Sequence, residues 1–493
     1  MSRLNAVYGE GGGEREPPRL LFVHREFEMR RREFLSCAAG AALSSTGLTS
    51  LAAAPRFRKP GEKLNIGVIG CGGRGWTDWT AMFAADENIV ALCDTERWQM
   101  ERAKAHMAKS RPFSGLCFSD WREMLAKCEN LDAVVVATPD HTHAPAAIAA
   151  MKKGCHAYVE KPLVRTIWEA RRFAEVAKAA GVVTQLGNQG SSDSGFRRNV
   201  EVLLGGVIGN GLEVHIWTDR PIWPQGIERP AGSDPVPSTL NWDAWIGSAP
   251  MRPFKKGVYT PFKWRAFYDF GTGAFGDMAC HTMNVACRGL RFGAVESAEC
   301  IRIEGLAKDT YPKKSIVKLR YAPRFGMPAT DLYWYDGNLK PDAKIMPQVI
   351  ATLGEVPKSG CLIIGDEGTM IVTHDNGLPA YFAKKGEAKL NSVQKHPAAK
   401  AVAQSLPRLA TKGKDAWRWS AHQIEFIKAC KGECKAFSDT DHSIPMMEGM
   451  LVGCIAQRVP GKLVWNSAAC RFEGNAEADR HIKPFQRDGW KID

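Results

Sequence analysis

The chain has no CxxC pair among its 14 cysteines, no internal repeat and no apolar run long enough to span a bilayer. Each absence removes a class of protein. Cys430 and Cys434 have three residues between them, but no second pair or histidine cluster joins them, so no zinc ligand set forms and no metal is expected. With 44% apolar residues a large core is available, and disulfides are not needed to fold it. The formal charge is +13, yet lysine and arginine are scattered. The one basic stretch, Lys384 to Lys414, is Ala- and Pro-rich and weakly periodic. It reads as a solvated loop, so nucleic acid is not an expected partner. A length of 493 residues fits two domains plus appendages, at roughly 150 residues per domain.

What is present begins at Lys63. An apolar run from Leu64 to Ile69 breaks into Gly70-x-Gly72-x-x-Gly75. An amphipathic segment follows, with Trp76, Trp79, Met82 and Phe83 on one face, and a second apolar run ends at Asp94. That is strand, turn, helix and strand, with the spacing of a dinucleotide-binding fingerprint. Gly70 permits the sharp turn, Gly72 lets backbone N–H groups approach a pyrophosphate, and Gly75 lets helix and strand pack closely. The helix start offers N–H donors to phosphate. Asp94 can accept both ribose hydroxyls, which favours NAD; Arg97 close by leaves NADP open.

Strand and helix then alternate. Helices are predicted at Glu96–Lys109, Asp120–Lys127, Ala146–Lys153 and Ile167–Ala180, with strands at Leu131–Ala137, His156–Val159 and Val182–Leu186. The pattern predicts a doubly wound parallel sheet. Two strands end in chemistry-bearing segments: Thr138-Pro139-Asp140-His141-Thr142-His143, read as a loop, and Glu160-Lys161-Pro162, whose last bond is a candidate cis peptide. From Gly187 the texture changes to apolar–polar alternation at Leu212–Thr218, Ala298–Ile303, Ser315–Tyr321 and Asp331–Tyr335. Such alternation marks an antiparallel sheet with one covered face. A hairpin is expected at Ile363–Thr373, and amphipathic helices at Ala416–Lys431 and Met446–Ala456, the latter packing back on the first domain. In between, a Gly-rich segment precedes a helix carrying Asp277 and His281 at i and i+4, on one face.

The fingerprint, the T-P-x-x-x-H segment, Glu160-Lys161-Pro162 and Asp277-x-x-x-His281 together resemble the Gfo/Idh/MocA oxidoreductases. The resemblance implies an N-terminal Rossmann domain and a C-terminal α+β domain with a large, mostly antiparallel open sheet, whose free face makes a homo-oligomer, dimer or tetramer. It implies a tightly bound NAD or NADP held by Gly70, Gly72, Gly73, Arg74, Gly75, Asp94, Thr138, Pro139, His143, Glu160, Lys161 and Asn188. It assigns catalysis to Lys161, Asp277 and His281: the histidine as base, the aspartate orienting it, the lysine steadying an alkoxide. The implied substrate is a sugar, polyol or glycoside. Arg220, Trp264 and Arg265, with Lys161, Asp277 and His281, are its expected contacts; Asn188 and Asp243 are further polar candidates. Trp217, Trp223, Trp242, Trp245, Phe267 and Tyr268 offer ring faces to a sugar or serve as core, and His141 and His143 either line the crevice or bond to backbone. The implied reaction is hydride transfer from a ring hydroxyl. The alternative is an NAD-dependent glycoside hydrolase working by transient oxidation, elimination and re-reduction.

The N-terminus carries Arg31-Arg32 before Phe34-Leu35, an Ala-rich stretch and Ala52-Ala53-Ala54. This resembles a twin-arginine export signal, so a periplasmic location is expected, with Met29 a second candidate start. The expected organisation is a leader at 1–58, a nucleotide domain at 59–186, a substrate and oligomerisation domain at 187–440, and a C-terminal helix and tail at 441–493.

Overall fold

A computed structural model describes residues 53–374, 376–409 and 420–492. The twin arginine and residues 416–419 of the expected amphipathic helix lie outside the described residues. The first part is a six-stranded parallel sheet in the order β3-β2-β1-β4-β5-β6. The strands are β1 (Asn65–Ile69), β2 (Asn88–Cys93), β3 (Leu116–Phe118), β4 (Ala133–Val136), β5 (His156–Glu160) and β6 (Thr184–Gly187). Strand β4, AVVV, is buried on both faces, as a β-branched run covered by helices must be. The covering helices are α1 (Gly73–Ala84), α2 (Arg97–Met107), α3 (Trp121–Lys127), α4 (Asp140–Lys152) and α5 (Ile167–Ala180). Asp120 caps α3 by accepting from Arg122 N, and Thr166 with Glu169 forms a capping box on α5.

One expectation is corrected here. The segment after Thr138-Pro139 is not a loop: α4 already begins at Asp140, and Pro145 sits inside it. A proline there leaves the carbonyl of His141 without its helical donor, and the Ser248 hydroxyl donates to that oxygen at 3.4 Å.

The second sheet, among the described residues, has ten strands in the order β14-β13-β12-β11-β7-β10-β9-β8-β15-β16. They are β7 (Gly211–Trp217), β8 (Val295–Glu304), β9 (Lys314–Tyr321), β10 (Thr330–Tyr335), β11 (Gly360–Gly365), β12 (Gly368–Val372), β13 (Ala380–Lys384), β14 (Asn391–Ser392), β15 (Lys462–Asn466) and β16 (Arg471–Phe472). Only β7 and β10 pair in parallel; the other pairs are antiparallel. The basic stretch from Lys384 is less loop-like than expected, holding β14 and a short helix at Pro397–Lys400. Helix α6 (Gly273–Thr282) carries Asp277 and His281. Helix α7 (Ser420–Cys430) packs on α1, and α8 (Thr440–Ala456) packs on α5, α6 and β8.

Candidate active site

Five strands of the parallel sheet end at one edge, and each end bears an expected site residue: Gly70, Asp94, Thr138, Lys161 and Asn188. Ligands of open α/β sheets bind along this carboxyl edge. At β1 the chain turns with Gly70 at φ +93°, open to glycine at little cost. A Cβ on Gly75 would collide with the carbonyl oxygen of Gly70, so glycine is what lets α1 lie on the strand. Asp94 is held in place by two backbone donors, Cys71 N at 2.8 Å and Glu96 N at 2.9 Å. Burial raises its carboxyl to about 6. Glycine turn, helix start and fixed acid fit the phosphates and ribose of a bound NAD. Gln99, unflagged in the sequence, faces Gly72 so closely that a Cβ there would strike it.

At β5 the Lys161-Pro162 peptide is cis. Lys161 meets the second half of the chain directly: its Nζ donates to Asp277 Oδ1 at 2.7 Å, and Arg265 Nε donates to the same oxygen at 2.9 Å. His281 lies half-buried one turn further along α6, on the face that Asp277 occupies. Arg265 is steadied by rings, its guanidinium 4.2 Å from the Trp264 centroid and 4.6 Å from that of Phe262. Burial pushes the Asp277 carboxyl up, but Lys161 and Arg265 outweigh it and hold the group well below the ordinary range. Burial works against the Lys161 ammonium too, and the Asp277 charge overrides it, so this lysine stays cationic at neutral pH. Two cations on one carboxylate leave the spot net positive, suited to a developing oxyanion.

Asp140, not singled out in the sequence as a site residue, closes the floor of this cluster. It is buried; Thr272 Oγ1 donates to its Oδ2 at 2.9 Å, and its Oδ1 has no partner among the described residues. Its signal was an acid directly after Thr-Pro. A second buried network was also missed. Asp78 accepts from Gln423 at 2.6 Å, Gln189 donates to Tyr158 at 2.8 Å and to Glu160, and Arg74 lies 3.5 Å from Glu160. It ties α1 to the Glu-Lys-Pro turn.

Other expected residues stand further back. His143 is buried with its ring nitrogens at 2.6 and 2.8 Å from the carbonyl oxygens of Pro162 and Thr138, bracing the two strand-end segments against each other. His141 is similarly enclosed, at 2.9 Å from the Trp245 carbonyl. Asn188 is buried and accepts from Ser191 and Ser438 at 2.9 and 2.7 Å. Arg220 pairs with Asp219 at 2.5 Å, and Asp243 with Arg487 at 2.5 Å. Trp223, Trp242, Trp245, Trp264 and Phe267 form one buried cluster, and Trp217 belongs to the core under the large sheet. These rings are interior, so core packing is what the structure shows for them.

Fold and site together define a two-part architecture, a Rossmann-type parallel sheet followed by a larger mixed sheet. Residues 64–188 match the Gfo/Idh/MocA model for the oxidoreductase family's NAD-binding Rossmann fold, and residues 217–287 match that family's C-terminal alpha/beta domain. These two stretches of the chain therefore match the two domains of that family in their order. A glycosyl hydrolase family 109 protein of Solibacter usitatus is 38% identical over 160 residues, 30% of this chain and 36% of that protein. The alpha-N-acetylgalactosaminidase of Shewanella oneidensis is 36% identical over 124 residues, 24% of this chain and 26% of that protein. The chain thus spans between about a quarter and a little more than a third of the length of these curated relatives. The WlbA dehydrogenase of Bordetella pertussis, solved with NADH and UDP-GlcNAcA, superposes with a TM-score of 0.56 at 18% identity, covering 84% of this chain and 99% of that one. That likeness is one of fold.

Proposed function

We propose that this chain is an NAD-dependent oxidoreductase that oxidises a ring hydroxyl of a sugar, polyol or glycoside. The carrying observation is the Lys161–Asp277–Arg265 cluster at the carboxyl edge of the parallel sheet, with His281 one turn along the same helix. NAD bound along Gly70–Gly75 and Asp94 supplies the hydride acceptor. His281 takes the hydroxyl proton, and the Lys161 ammonium stabilises the oxyanion that forms. Asp277 keeps Lys161 charged and both cations aimed. A panel of sugars and glycosides followed at the nicotinamide absorbance tests this. Oxidation of a panel member that His281→Ala abolishes supports it; full activity in His281→Ala overturns it.

A second reading is favoured by the family 109 relatives. Oxidation at one ring carbon acidifies the neighbouring C–H, so the same residues could begin a redox-neutral glycoside cleavage. Release of the aglycone from an aryl N-acetylgalactosaminide without net NADH would select this reading.

Three further parts of the proposal concern setting. The Arg31-Arg32 leader suits export of the folded protein to the periplasm, where a tightly held cofactor recycled by a second sugar-like substrate removes any need for a free pool. Finding no dinucleotide on denaturing the exported protein would refute that. Ile301, Ile303 and Val464 are exposed on adjacent strands β8 and β15, which supports a homo-oligomer through the large sheet. Light scattering that returns a monomer would remove this part.

A further inference from the structure

A separate cavity of about 140 Å³ lies between the start of α5, the end of α8 and the tail around residues 480–485. Its charge is one-sided. Arg165, Arg458, Arg480 and Lys483 border it, against Asp269, which is already paired with Arg252. Glu169 stands behind Arg165 and offsets part of its charge, its Oε2 accepting from the backbone N–H groups of Arg165 and Thr166. Arg480 pairs with Glu477 at 2.7 Å, a pair too exposed to neutralise it firmly.

The other cations are less compensated still. Among the described residues neither Arg458 nor Lys483 makes an ion pair. Each lies instead over a ring, Arg458 at 4.0 Å from Tyr268 and Lys483 at 4.7 Å from Trp168. Arg165 Nη1 donates to the Tyr268 carbonyl at 2.9 Å, while its Nε is buried with no acceptor among the described residues. Burial, aided by the Arg458 charge, lowers His481 to about 4, so at neutral pH it adds a neutral hydrogen-bonding ring. Tyr268 and Tyr311 sit edge to face at 4.5 Å in the lining, and Phe485 is 62% exposed in the tail segment that borders it. The buried Arg165 Nε, a charged donor without an acceptor among the described residues, is costly until an oxyanion reaches it.

We propose that this cavity is a binding site for a small ligand that carries a phosphate, sulfate or carboxylate on a sugar-sized ring. The oxyanion is held by Arg165, Arg458 and Lys483, and the ring lies against Phe485. The site is distinct from the Lys161–Asp277 cluster, and nothing in it depends on the reaction proposed there.

Calorimetric titration of the full-length protein at constant ionic strength tests it, with inorganic phosphate, inorganic sulfate, glucose 6-phosphate and glucuronate as probes and neutral glucose as the control for the catalytic crevice. The expected result is saturable binding of at least one anionic probe, the arms showing which oxyanion is preferred. Arg458→Gln and Lys483→Gln should each weaken it about tenfold, the loss expected for one charge-assisted hydrogen bond. Phe485→Ala should weaken a ring-bearing probe and spare its inorganic counterpart. Lys483 is exposed, so its variant will fold even if that of Arg458 does not. Non-saturable binding of every anionic probe, or undiminished binding in Lys483→Gln, would overturn the proposal.

Discussion

Burial pushes up both carboxyls near the crevice, but their neighbours leave them on opposite sides of the ordinary range, with a measurable consequence. Asp277 has two cations and stays ionised; Asp140 has one hydroxyl donor, and burial together with the Asp277 charge raises it to about 7 from an ordinary 3.8. The folded chain therefore holds the Asp140 proton more tightly than the unfolded chain does. Its contribution to stability is fully present below about pH 4 and is lost as pH rises through 7, with a slope of up to about 1.4 kcal/mol per pH unit. Asp140→Asn removes that slope, so urea unfolding should show the variant gaining on the parent from about pH 4 to about 7 and levelling off above it. A constant difference between the two would refute the assignment. Lys161 makes the complementary case. Lys161→Met keeps the length of the side chain and removes the charge, and about a 10²–10³-fold loss of kcat is expected, measured at saturating NAD by the nicotinamide absorbance.

At the scale of elements, what could be read from the chain was what repeats locally. The glycine spacing, the β-branched run of β4 and the alternation in β7 to β10 each encode a period, and the structure follows them. Short or irregular pieces carry no such signal: β3 has three residues, and α4 begins at Asp140 rather than Ala146, with Ser248, distant in sequence, serving the carbonyl that Pro145 strands. The site divides in the same way. Lys161, Asp277 and His281 were legible because their motifs are local, whereas Asp140, Gln423 and the interior placement of His143 depend on contacts between distant segments. The β1–α1 turn offers the test at this scale. Gly75 packs against the Gly70 carbonyl, which belongs to the backbone and cannot swing aside. Gly75→Ala must push α1 off the strand, and NAD binding measured by calorimetry should weaken by about tenfold or more, the equivalent of at least 1.4 kcal/mol. Alanine at Gly293, where nothing lies within 4 Å of an added Cβ and the backbone is not left-handed, is the control for a mere change of glycine content.

For the whole molecule, the chain order conceals that the nucleotide-binding part is finished by residues far beyond it. Helix α7 returns after the strands β7 to β14 and lays Phe426, Ile427 and Cys430 into the same core as Leu64, Trp79, Met82 and Tyr158. Gln423 reaches Asp78 on α1, and Lys431 pairs with Glu87 at 2.6 Å, both partners largely buried. These contacts bear on the helix that starts in the glycine turn proposed to hold the dinucleotide, so loss of packing under α7 should loosen the cofactor as well as the fold. Phe426 is fully buried against the Tyr158 ring, 5.7 Å between centroids. Phe426→Ala is expected to cost about 3–5 kcal/mol, the range for an aromatic deleted from a packed core, and to speed release of bound dinucleotide on dilution. Phe485→Ala, at an exposed ring in the tail, should cost under about 0.5 kcal/mol. Denaturant melts of the two variants, read with cofactor release from the same samples, decide it: if Phe426→Ala unfolds like its parent, α7 is an ornament on the nucleotide domain rather than part of its core.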